Sequence, residues 1–104
     1  MNKLVIDTRD NKNVVARLFV DKVEYISTSE SETKRPESIL LLVEKVCREA
    51  KISIHDIDEI NVEEGPGSYT GLKVGVSVAN ALSFSLQKKV NGRPLGELVE
   101  PRYE

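Results

Sequence analysis

The residues best equipped for chemistry lie together in EEGPGSYTGLKVG, positions 63 to 75, where four glycines and a proline surround Ser68, Tyr69 and Thr70. A glycine-rich turn that opens a helix presents backbone N–H groups to an anion, and the helix dipole adds positive potential there. The spacing excludes two phosphate-binding motifs. A P-loop needs its second glycine followed by Lys and Ser or Thr, but that glycine would fall at Thr70 or Leu72. A dinucleotide fingerprint needs glycine at position 70 and an acidic residue ending the next strand; Thr70 stands there, Gly71 comes one residue late, and no such acid follows. Two readings of Gly67, Ser68, Tyr69, Thr70 and Gly71 remain open: an anion cradle, or a Ser68 or Thr70 N-cap with tight strand-to-helix packing.

Elsewhere the reactive groups are scattered. His55 stands alone in an acidic loop, so no histidine pair exists for a metal, and an exposed or locally bonded role is expected. Cys47 is the single cysteine, which fits a reducing compartment and a small buried hydrophobe. Asp56, Asp58, Glu59, Glu63 and Glu64 read either as acid/base groups or as a solvated acidic face, since nothing in the sequence fixes their separation. Asp7 follows the first strand, where a turn or cap role is expected ahead of a catalytic one. No nucleophile stands beside a base, and no metal or cofactor is implied.

The bulk composition excludes several classes of partner and setting. Fifteen basic residues against seventeen acidic ones leave a net charge of -2, which provides no field for gathering phosphate backbones. MNKLVIDTRD has too short an apolar run for a signal-peptide core, and no segment approaches the ~20 apolar residues of a membrane span, so a cytoplasmic protein is expected. A chain of 104 residues with 39% hydrophobic content supports one core, read here as a single domain over 1–104.

The elements that must position these groups follow from periodicity. Lys3 to Ile6 and Val14 to Val20 are short β-branched runs joined by the turn residues 9–13, and Val23 to Ser27 follows an Asp21-Lys22 turn, giving an antiparallel meander. STSESETKR, at 27–35, is too polar for core. From Pro36, residues Ile39, Leu40, Val43, Val46, Cys47 and Ala50 mark one helical face, which Leu41 and Leu42 widen. After the loop KISIHDID, Glu59 to Val62 alternates as a strand. Leu72 to Leu86 reads as a second helix, ended at Gln87 with Lys88 and Lys89 opposing its dipole, and Val90 begins a last extended segment. The order β-β-β-α-β-α-β predicts an α/β fold with a mixed sheet whose later strands are parallel.

The second helix carries two apolar faces: Leu72, Val76, Ala79, Ser83 and Leu86 on one, Val74, Val78, Ala81 and Leu82 on the other. Gly71 and Gly75 flank them and allow close backbone approach. A surplus apolar arc needs a cover, so Ile39, Leu41, Leu42 and Val46 of the first helix with Gly71, Val74, Gly75, Val78, Ala81 and Leu82 of the second form a candidate partner interface. Wholly internal packing is the alternative.

LVIDT at 4–8, the hairpin after it, DIDEINV at 56–62 and above all GPGSYTGLKVGVSVANALS at 65–83 resemble the N-terminal lobe of the TsaB family, also called YeaZ. The resemblance covers residues 3 to 95 and implies a ribonuclease-H-like lobe of the actin-like ATPase superfamily. It implies a non-catalytic subunit in making threonylcarbamoyladenosine on tRNA, paired through these two helices with the TsaD transferase subunit and joined by the ATPase TsaE. Homodimers are expected when the partner is missing, because like faces related by a two-fold axis can bury one another. Whether tRNA touches this subunit is left open by the resemblance.

This chain departs from the family pattern in three ways. The family has two lobes with nucleotide in the cleft between them, so a complete ATP cleft is not expected from one lobe. The ending LVEPRYE resembles the P-x-Y tail of longer members, which favours a naturally short form over a fragment. Pro36-Glu37 stands where the family often has His-Ser, and the glycine expected just after Asp7 is absent. Three functions therefore compete: a scaffold for a TsaD-like enzyme, a degenerate nucleotide-binding enzyme of the superfamily, and a self-associating domain.

Overall fold

A meander of three β-branched strands, too polar on alternate residues to be buried on both faces, needs one apolar layer against it, and two helices supply that layer. The computed structural model describes residues 1–30 and 35–103. Its elements are β1 (Asn2–Asp7), β2 (Asn13–Val20), β3 (Val23–Glu30), α1 (Pro36–Glu49), a 3-10 turn (Ile54–Asp56), β4 (Glu59–Val62) and α2 (Tyr69–Leu86). The sheet order is β3-β2-β1-β4, with β1 antiparallel to β2 and parallel to β4. A parallel neighbour requires a crossover, which α1 provides.

Alternation along the strands decides which side the helices take. Leu4 and Ile6 of β1, Val14, Ala16 and Leu18 of β2, and Ile60 and Val62 of β4 are buried. They meet Ile39, Val43 and Val46 of α1 and Val76 and Ala79 of α2 in one core. The intervening residues Lys3, Val5, Arg17, Phe19, Glu59 and Asn61 stay half-buried or exposed on the opposite face. α1 opens with Pro36 in its first turn and closes with Arg48 in its last, as its dipole favours.

The structure differs from sequence expectation at four places. β3 continues to Glu30 rather than stopping at Ser27, and Ser27 is buried inside the stretch read as too polar for core; positions 31–34 of that stretch lie outside the described residues. The acidic loop contains a 3-10 turn closed by a reciprocal Ser53–Asp56 capping box, which lowers Ile57 into the core at 0% exposure. α2 begins at Tyr69, three residues before Leu72. The last extended segment forms only one bridge, Val90 to Ile60, so the expected seventh element is not a strand.

That bridge ends for a stereochemical reason. Asn91 takes a left-handed backbone (φ 51°), which turns the main chain away from β4. Its side chain then replaces the missing strand: Oδ1 accepts the Val62 N–H at 2.8 Å and Nδ2 donates to the Val62 carbonyl at 3.1 Å.

Candidate functional site: the glycine turn and the helical groove

The glycine turn is built against the end of β1. Gly65 takes φ 121° before a cis bond to Pro66. Ser68 donates its N–H to the Arg9 carbonyl at 2.8 Å, and Gly67 lies so close that a β-carbon there would fall 2.8 Å from Arg9 Cα. Ser68 is the N-cap, its Oγ accepting the Gly71 N–H at 3.3 Å. Of the five residues expected to cradle an anion, Gly67 and Ser68 are therefore engaged with Arg9, just past β1, or with the cap. Gly71 is buried, its carbonyl accepting the Thr8 hydroxyl at 2.6 Å, while Tyr69 and Thr70 are exposed.

The C-terminal tail closes over this turn, a feature the sequence did not disclose. Asn80 on α2 holds it with two bonds, Nδ2 to the Val99 carbonyl at 2.9 Å and Oδ1 from the Val99 N–H at 3.0 Å. Val99 is buried at 2% exposure. Beyond it the Arg102 N–H donates to the Glu64 carbonyl at 2.6 Å, the Arg102 guanidinium reaches the Gly65 carbonyl at 3.1 Å, and Tyr103 stacks on Tyr69 with centroids 4.5 Å apart. The only local signal was an isolated valine with proline two residues on, which does not distinguish an anchored tail from a loose one.

Asp7 sits beside the turn but is occupied. Its carboxylate accepts the Arg9 backbone N–H at 3.1 Å and the Arg9 guanidinium at 3.1 and 2.9 Å, in agreement with the turn role. Partial burial pushes the Asp7 carboxyl up, but the Arg9 hydrogen bonds and charge, with Arg17 farther off, outweigh this and hold it below its ordinary value. His55 is exposed on the 3-10 turn, its N–H on Ser53 Oγ at 3.2 Å. The Cys47 thiol is buried, and burial with the nearby Asp56 and Glu44 charges pushes it up to about 11. At neutral pH it is a protonated apolar group rather than a nucleophile.

The candidate interface divides sharply by burial. Ile39 and Val46 are at 0% exposure in the core, and Gly71, Gly75, Leu42, Val78 and Leu82 are also buried. Ile39 and Val46 therefore cannot meet a partner without unfolding, and Gly75 makes its close approach internally, to Thr8. Leu41 is 63% exposed, Ala81 is exposed and Val74 half-buried. α1 thus covers much of the second face of α2, as internal packing would have it, but not all.

What it leaves is a groove of about 480 Å³ between α1 and α2, lined by Pro36, Leu40, Ser77, Val78, Ala81, Leu82 and Ser85. Among the described residues no charged side chain lines it. Of the candidate interface, Val78, Ala81 and Leu82 reach this groove. Leu40 belongs to the apolar face of the first helix and Pro36 to its first turn, and Ser77 and Ser85 carry no apolar signal. An uncharged groove between two helices excludes anions and suits an apolar side-chain ridge from another helix. No described helix is long and apolar enough to cross a membrane.

Comparison with known proteins places this geometry. Residues 28–92 match the family model described as TsaD, tRNA N6-adenosine threonylcarbamoyltransferase. The tRNA threonylcarbamoyladenosine biosynthesis protein TsaB of Bacillus subtilis is 30% identical over 100% of this chain and 50% of its own length. The tRNA N6-adenosine threonylcarbamoyltransferase of the same organism is 47% identical over 47% of this chain and 14% of its own. YeaZ from Pseudomonas aeruginosa superposes with a TM-score of 0.78 at 24% identity, over 86% of this chain and 41% of that one. The chain spans about half the length of the curated TsaB relatives it matches. The model match covers more than half of the chain, and with the TsaB relatives and the YeaZ-like fold it shows that the chain belongs to the family described by the TsaD model, within its TsaB (YeaZ) group.

Proposed function

We propose that this chain is a non-catalytic scaffold subunit in threonylcarbamoyladenosine modification of tRNA, holding a TsaD-like transferase through the groove between α1 and α2. The observation that carries the reading is the groove itself: an uncharged, exposed seam centred on Ala81, in a chain whose relatives include both TsaB and the transferase. Two subunits of related sequence can pair through equivalent helical faces about a pseudo-two-fold axis, and the TsaB role is to complete that pair. The same face would support a homodimer when the transferase is absent, so the two assemblies compete. A TsaE-like ATPase joins the larger complex, and the setting is cytoplasmic.

The non-catalytic part rests on the chemistry of the reactive groups. Asp7 is bonded to Arg9, the Cys47 thiol is buried and protonated, and the glycine turn is bonded to Arg9 just past β1 and overlaid by the tail. The test mixes the purified chain with the TsaD-like protein from the same source and follows mass by light scattering, then threonylcarbamoyl transfer to tRNA. A mixed complex with restored transfer is expected. A chain that ignores that protein, or transfer that depends on the Asp7 carboxylate, would overturn the scaffold reading.

A further inference from the structure

The two edges of the sheet are treated differently. At the β4 edge the main-chain groups are used: the Ile60 N–H donates to the Lys89 carbonyl at 3.2 Å, the Asn91 N–H to the Ile60 carbonyl at 2.9 Å, and the Asn91 amide closes over Val62. At the β3 edge, among the described residues, no main-chain group is paired. Edge strands are normally protected by lysine, proline, a bulge or shortness. β3 has eight residues, VEYISTSE, in unbroken register with β2, without proline or lysine. Glu24, one of its two carboxylates, lies 3.9 Å from Arg17 in an exposed ion pair, and Ile26 is 48% exposed.

The hairpin fixes which groups point outward. Val20 pairs with Val23 across the two-residue Asp21-Lys22 turn, so Val23, Tyr25, Ser27 and Ser29 bond to β2. The N–H and C=O groups of Glu24, Ile26, Thr28 and Glu30 then face the open edge. We infer that this edge pairs antiparallel with β3 of a second copy of the chain, extending the sheet across a two-fold axis at Ile26. Charge selects that register. With Ile26 opposite its counterpart, Glu24 meets Thr28 and Lys22 meets Glu30, each pairing occurring twice by symmetry. The register centred on Ser27 instead sets Glu24 against Glu30 twice, which like-charge repulsion disfavours. Pairing at positions 24, 26 and 28 forms about six main-chain hydrogen bonds. The surface lies on the opposite flank of α1 from the helical groove, so this inference does not rest on the proposed transferase partner.

The experiment is sedimentation equilibrium of the purified chain from micromolar to millimolar concentration, with far-ultraviolet dichroism to confirm folding. In the Ala81→Arg background, which closes the helical groove to a second copy, Thr28→Pro removes only an outward N–H and is tolerated on an edge strand, so it should leave a folded monomer. Lys22→Glu should weaken the dimer about tenfold by turning two attractions into repulsions, and Lys22→Glu with Glu30→Lys should restore it. Ala81→Arg, in the helical groove, should leave this dimer intact. An Ala81→Arg chain that is monomeric throughout the range, association that survives Thr28→Pro in that folded background, or a double exchange that fails to restore it would overturn the inference.

Discussion

Thr8 and Gly75 are in direct contact: the Thr8 hydroxyl, fully buried, donates to the Gly71 carbonyl one turn earlier on α2, and a β-carbon at position 75 would fall 2.1 Å from Thr8 Oγ1. The end of β1 is thereby fastened to the first turns of α2, which sets the angle at which α2 meets α1 and so the shape of the groove. Gly75→Ala should destabilise the chain by about 2 kcal/mol through overpacking, despite alanine's better helix propensity. Urea unfolding should show the loss, and Thr8→Ala in the same chain should recover part of it, because the two residues share one contact.

Asp7 and Arg9 form a pH-dependent brace under the glycine turn. The folded carboxyl lies below its ordinary value of 3.8, so the stabilisation it contributes is fully present above that value and is lost as pH falls through the lower folded value. Asp7→Asn should cost about 0.5–1 kcal/mol at neutral pH, with half-exposed Arg9 limiting the effect, and the difference from the parent should vanish in strong acid. Paired unfolding curves across acidic pH check this. Under the scaffold reading, transfer by a reconstituted complex should be unchanged in Asp7→Asn.

Most of the architecture was legible because it rests on local periodicity. Alternation marked β4 to the residue and β2 to within one, and Pro36 and Ser68 behave as helix-start signals should. The misses share a different cause, since each depends on a contact distant in sequence. Ser27 is held in β3 by pairing with Ala16, Val90 stops at one bridge because Asn91 turns away, and Val99 is anchored by Asn80 on another element. The interface was half legible: the helical wheel separated apolar faces but could not say that Ile39 and Val46 would be used by the sheet while Ala81 was left outside.

Asn80 should control the tail. Replacing it by alanine leaves the Val99 N–H and C=O without their side-chain partners, at a cost of about 1–3 kcal/mol borne locally. Hydrogen exchange at residues 97–103 should quicken, and protease should cut the tail sooner, while amides in β1 and β2 keep their protection. Equal loss of protection throughout the chain would mean that the tail is part of the global cooperative unit.

Ala81 and Val78 line the same groove but test different things. Val78 is 4% exposed, so Val78→Glu buries a carboxylate among apolar neighbours and should unfold the domain, telling nothing about partners. Ala81 is exposed, and its arginine variant can extend into water in the free chain, so the melting temperature should hardly move. In a complex the same guanidinium would be driven into an uncharged seam without a partner. Binding of the TsaD-like protein should then weaken at least about a hundredfold, the scale of one desolvated unpaired charge at an interface centre. Titration calorimetry with that protein checks the prediction: a folded Ala81→Arg chain that binds as tightly as the parent would place the partner elsewhere on the surface.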